Sequence, residues 1–92
     1  MIVKTTRQRA WEELPDLADE QTATVDEKIG RRIFNLRNRR RMNQYQLADA
    51  TGFQQPCICN YENGTTSIRV YRLVVIAGVL GTTASELLEG IQ

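Results

Sequence analysis

From residue 24 to the end of the chain, apolar positions recur with the period of a helix. Ile29, Ile33 and Leu36 are spaced by three and four, which places them on one side of a helix. Thr24-x-x-Glu27 stands just before them as a capping-box pattern, in which each side chain satisfies a free amide at the helix start. The spacing predicts a first helix over Val25–Arg40, with its arginines mostly away from the apolar stripe. Met42 then plugs the core. Asn43 caps a second, short helix over Gln44–Thr51, with Leu47 and Ala48 turned inward and Gly52 ending it. A third helix is predicted over Gln55–Asn63. Gln54 is at its cap, Pro56 is in the first turn, where a missing N–H costs little, and Gly64 is its stop. Arg69–Leu80 carries Val70, Leu73, Val74, Ala77 and Leu80, a stripe broad enough for a buried fourth helix that stops at Gly81. Thr83-x-x-Glu86 is a second capping box and opens a last short helix bearing Leu87 and Leu88.

The pattern is all-α: a compact bundle of five helices over residues 25–92, with residues 1–24 as an N-terminal extension. Within the extension, Thr6–Leu14 reads as a further short helix with Trp11 and Leu14 on one side, stopped by Pro15. Residues 15–23 are polar and read as loose. At 92 residues the chain is one domain, with room for a single small core.

Composition narrows the chemistry. The chain has no histidine, which removes Ser-His-Asp triads, Cys-His pairs and histidine-containing zinc sites together. Its two cysteines, Cys57 and Cys59, lie two apart on a helix and diverge by about 160°, so they neither bond to each other nor share a metal. Cys57 reads as small core filling, and Cys59 on the outer side as an inert thiol, with a redox-sensitive contact as the alternative. No catalytic residue, metal or cofactor is expected. No apolar run approaches the ~20 residues of a membrane span, and MIVKTTRQRAW lacks the apolar stretch of a secretory signal. A reducing cytoplasm is the expected setting.

The net charge of +1 hides an uneven distribution. Residues 1–26 carry −3 and residues 27–64 carry +4, concentrated in Lys28, Arg31, Arg32, Arg37, Arg39, Arg40 and Arg41. Such a patch draws polyanions, nucleic acid first among them, though an arginine run is equally well read as a solvated helix face.

The second and third helices, joined by a turn holding Gly52, form a helix-turn-helix unit. On a wheel of the third helix, Ile58 and Tyr61 fall on one side, flanked by Cys57 and Glu62. Pro56, Cys59, Asn60 and Asn63 fall on the other, with Gln55 at its edge. A merely solvated face usually carries Lys and Glu. This one carries amides, the groups that pair bidentately with adenine in the major groove.

These residues resemble the Xre-type, lambda-repressor-like helix-turn-helix family. The resemblance rests on NQYQLADATGFQQPCICNYENG, residues 43–64, in which Asn43-Gln44, Leu47-Ala48, Gly52, Ile58, Tyr61-Glu62 and Gly64 match. Upstream, Ile29-Gly30, Ile33, Leu36 and Arg37 match its first helix. Downstream, Ile76-Ala77, Leu80-Gly81 and Ser85-Glu86-Leu87-Leu88 match its fourth and fifth. The resemblance implies that Gln44 donates to a DNA phosphate, and that Gln55 and Asn60, with Pro56 and Cys59 beside them, read base edges. It also implies that Asn63 and the loop Gly64–Thr66, Thr65 included, touch the backbone. Arg37 and Glu62 fall where the family places a partly buried ion pair, and Arg37 on phosphate is the alternative. Three departures stand out. Gln54 replaces the usual Ser or Thr cap, and Pro56 replaces a frequent polar reader. Arg69 replaces the cap before the fourth helix, leaving Ser67 or Thr66 as substitutes and freeing Arg69 for phosphate or the minor groove.

The expectation is a sequence-specific, double-stranded-DNA-binding transcriptional regulator, a homodimeric repressor, with Arg40 and Arg41 adding phosphate contacts. Leu87, Leu88 and Ile91 suggest an exposed apolar edge for the dimer seam. A narrower alternative is an antitoxin repressing its own operon, with residues 1–24 holding a protein partner. A further alternative is an interaction module that keeps the fold without DNA.

Overall fold

Side-chain caps start three of the five helices in the computed structural model, which describes residues 23–92. Thr24 Oγ1 accepts from the Glu27 amide at 3.1 Å, the Glu27 carboxylate accepts from the Thr24 amide at 2.8 Å, and α1 (Val25–Arg39) follows. Asn43 and Gln46 repeat this reciprocal pair at 2.8 Å in both directions and open α2 (Gln44–Thr51). Thr83 Oγ1 accepts from the Glu86 amide at 3.1 Å at the start of α5 (Ala84–Leu88). The two helices between, α3 (Gln55–Asn63) and α4 (Val70–Val79), begin at Gln54 and Arg69 with no side-chain cap. Neither Ser67 nor Thr66 substitutes at α4, against expectation. Ser67 Oγ donates instead to Asp26 Oδ2 at 2.7 Å, tying the loop before α4 to the first turn of α1. There is no strand among the described residues.

The core draws on every helix. Ile33, Leu47, Ile58, Ile76, Leu80 and Leu87 are each at most 1% exposed, and each such burial contributes about 1.5–3 kcal/mol. Two sequence expectations fail here. Val70 and Val74 are 76% and 53% exposed, because Leu73, Ile76, Ala77 and Leu80 take the inner side of α4 and the two valines fall beside it. Leu87 belongs to the core and Ile91 packs against it, which leaves Leu88 alone exposed at the supposed apolar edge.

Glycine decides how closely α1 and α3 cross. A Cβ at Gly30 would stand 2.5 Å from the Glu62 carbonyl oxygen, and one at Gly64 would stand 2.6 Å from Glu27 Cα. Both distances are far inside van der Waals contact, so the two backbones touch there and larger residues would push them apart. α1 ends on Arg40, and Arg41 follows in the left-handed region at φ 60°. A glycine is the usual residue at such a position, and a side chain there costs about 1–2 kcal/mol.

Candidate nucleic-acid interface

The turn between α2 and α3 is built on Gly52, whose φ of 82° lets its amide reach the Ala48 carbonyl at 2.8 Å. The Phe53 amide donates to the same oxygen at 3.1 Å. With Ile58 and Tyr61 buried, α3 is anchored along one side and presents the other. Pro56, Asn60 and Asn63 are exposed on that outer side, and Gln55 and Cys59 are half-buried.

A chain of hydrogen bonds leads from the buried interior to this surface. Arg37 Nε donates to Glu62 Oε2 at 2.6 Å and Arg37 Nη2 to Glu62 Oε1 at 3.0 Å, a bidentate pair with both partners buried. Arg37 Nη1 donates to the Met42 carbonyl at 2.7 Å, and the guanidinium lies 5.2 Å from the centre of the Phe34 ring. Gln44 Nε2 donates to Glu62 Oε1 at 2.9 Å, while Gln44 Oε1 accepts from Gln55 Nε2 at 2.8 Å. The first residues of α2 and α3 are thus held to each other and to the ion pair.

Other site candidates make smaller groups. Thr65 Oγ1 donates toward the Asn60 side-chain oxygen at 3.4 Å and the Thr65 amide to the Asn60 carbonyl at 3.1 Å. Asn63 Nδ2 reaches Cys59 Sγ at 3.5 Å. Arg40 lies apart from these, with its guanidinium against Gly81. Arg41 and Arg69 are exposed at the end of α1 and the start of α4. Cys57 packs half-buried on the core, and both cysteines are free thiols.

The basic patch is smaller than its sequence suggests. Arg37 is buried in the ion pair rather than facing outward with the other arginines of α1. Arg32 is turned to α5, where its Nη1 donates to the Leu87 and Glu89 carbonyls at 3.2 and 2.7 Å and satisfies the last turn of that helix. Sequence reasoning also missed Arg72. Its guanidinium lies 4.4 Å from the centre of the Phe53 ring and donates to the Tyr61 hydroxyl at 3.2 Å, joining α4 to the turn and to α3. Its hydrogen bonds to Tyr71 and Tyr61 raise its pKa above the usual arginine value, so it stays charged. Nothing in the spacing of residues 53, 61 and 72 announces this contact. Trp11, Leu14, Leu17 and the rest of residues 1–22 lie outside the described residues.

Among the described residues, no group of three or more His, Cys, Asp or Glu is placed to hold a metal ion, and no helix is long and apolar enough to cross a membrane. No curated protein matches the chain. Solved structures do. The clp gene regulator ClgR from Corynebacterium glutamicum superposes with a TM-score of 0.68 at 18% identity, over 71% of this chain and 69% of that one. A second structure of ClgR from C. glutamicum gives a TM-score of 0.67 at 17% identity, over 75% and 97%. The likeness to ClgR is one of fold. Apo-HppE matches with a TM-score of 0.63 at 26% identity, over 70% of this chain but only 36% of that one. The helix-turn-helix family model matches residues 33–87, from the middle of α1 through the α2–α3 unit to α5. The chain belongs to the Xre-like, Cro-like helix-turn-helix family.

Proposed function

We propose that the chain is a sequence-specific regulator of transcription, a repressor that binds double-stranded DNA as a homodimer with α3 in the major groove. The observation that carries this reading is the amide-bearing outer side of α3, with Gln55 fixed by Gln44 at 2.8 Å. A base-reading side chain whose orientation is set before contact loses less conformational freedom on binding. The fold shared with the ClgR gene regulator supports the same reading.

The hydrogen-bond inventory suits the task. Gln55 Nε2 has a second N–H beyond the one given to Gln44, and Gln55 Oε1 is an acceptor, which together match adenine N7 and N6–H. Gln44 Nε2 likewise keeps one N–H beyond the one given to Glu62, suited to a phosphate oxygen. Asn60 is the second reader, and Pro56 and Cys59 offer apolar contact to a thymine methyl. Asn63, Thr65, Arg41 and Arg69 contact the backbone and set the register, while Arg40, turned to Gly81, is left out of the contact set. Two copies related by a two-fold axis place their half-sites about 10 base pairs apart.

The test is a binding measurement on duplexes carrying a selected site and on scrambled duplexes at several salt concentrations. A steep salt dependence with a clear preference for the selected site supports the reading. Salt-independent binding, or none, rejects it.

A further inference from the structure

The amide surface of α3 is not the only exposed surface that calls for a partner. Along α4, Val70, Tyr71, Val74 and Val75 are 76%, 58%, 53% and 37% exposed and together make an apolar patch. Scattered apolar residues on a surface need no explanation, but a contiguous group on one helix marks an interaction site. Its rim is cationic. Arg69 is exposed at the N-cap and Arg72 is held charged beside Tyr71.

The fold places one occupant beside this patch. Residues 1–22 enter α1 through Thr24, and Asp26 accepts a hydrogen bond from Ser67 at 2.7 Å, three residues before Val70. The segment is therefore rooted beside the loop that leads into the patch. Within it, Trp11, Leu14 and Leu17 are set among Glu12, Glu13, Asp16, Asp19 and Glu20. Apolar residues in acidic surroundings are the complement of valines and a tyrosine rimmed by arginines. The reach suffices. The six residues from Leu17 to Ala23 span up to about 20 Å when extended, and Val70 to Val75 occupies about 8 Å of helix.

We propose that residues 11–17 dock on the exposed side of α4 within the same molecule, with Trp11, Leu14 and Leu17 covering Val70, Tyr71, Val74 and Val75. Trp11 is the chain's only tryptophan, so its emission reports the contact directly. In the full chain, Trp11 emission is expected to be blue-shifted and poorly quenched by acrylamide, and to stay so on dilution. Val74→Glu, at a half-exposed helical position where Glu is well tolerated, is expected to shift that emission to the maximum of free N-acetyltryptophanamide without loss of helical circular dichroism. Tyr71→Glu gives the same shift from a second position. Emission of a solvated indole in the wild-type chain overturns the proposal, as does a blue-shifted emission that neither substitution moves. A blue shift that vanishes on dilution while light scattering reports dissociation also overturns it, and assigns the patch to a second copy.

Discussion

Gln44 Oε1 accepts a hydrogen bond from Gln55 Nε2 at 2.8 Å, joining the first residue of α2 to the first residue of α3. Behind it, Gln44 is fastened to Glu62 and Glu62 to Arg37. The surface amide thus takes its orientation from a buried charge pair.

Under the proposed function, Gln55→Ala takes away a base reader and leaves the phosphate contacts. It is expected to lower the preference for the selected site over a single-base variant by about 1–3 kcal/mol, while affinity for scrambled DNA changes little. Fluorescence anisotropy on the three duplexes measures this. Equal weakening on all of them contradicts the assigned role.

Glu62→Ala strands the Arg37 guanidinium in the core and unfastens Gln44. It is expected to destabilise the domain by about 3–5 kcal/mol, whereas replacing both partners by methionine recovers most of that loss. Urea unfolding of the two variants separates these cases. A mild effect of the single substitution shows that the pair is not what holds α1 to α3.

Two glycines make opposite predictions. Gly30→Ala drives a methyl group into the α3 backbone and is expected to cost about 1–3 kcal/mol. At Gly78, inside α4, an added Cβ meets nothing within 4 Å, so Gly78→Ala is expected to stabilise by about 0.5–1 kcal/mol. Thermal unfolding checks both signs.

The left-handed backbone of Arg41 and its proposed phosphate contact can be tested separately. Arg41→Gly relieves the left-handed backbone and is expected to stabilise by about 1 kcal/mol, while Arg41→Ala does not. Both are expected to reduce the slope of log affinity against log salt by about 1, the signature of one lost phosphate contact. An unchanged slope removes Arg41 from the interface.

Much of this architecture was legible because its signals are local. Thr24 with Glu27, Asn43, Gly52, Pro56 and Gly64 act within a few residues of themselves, and they mark α2 and α3 at the ends observed. The α1 and α4 ends fall one residue inside the expected Val25–Arg40 and Arg69–Leu80, where Arg40, Arg69 and Leu80 take the cap positions. Contacts between distant residues were harder. An arginine in a basic helix reads as surface, and only the partner's position shows that Arg32 reaches α5 and Arg72 reaches Phe53. On α4, apolar residues occupy nearly the whole circumference, so periodicity does not say which of them face water. The packing of α2 and α5 decides that Leu73 is buried and Val74 is not.

Selection of bound duplexes from a randomised pool, run on the wild-type chain and on Gln55→Ala at one stated salt concentration, decides whether α3 reads sequence through Gln55. A defined two-fold-related motif is expected for the wild type, with relaxation at one position per half-site for the variant. An unenriched pool, or the same motif from both proteins, overturns that role.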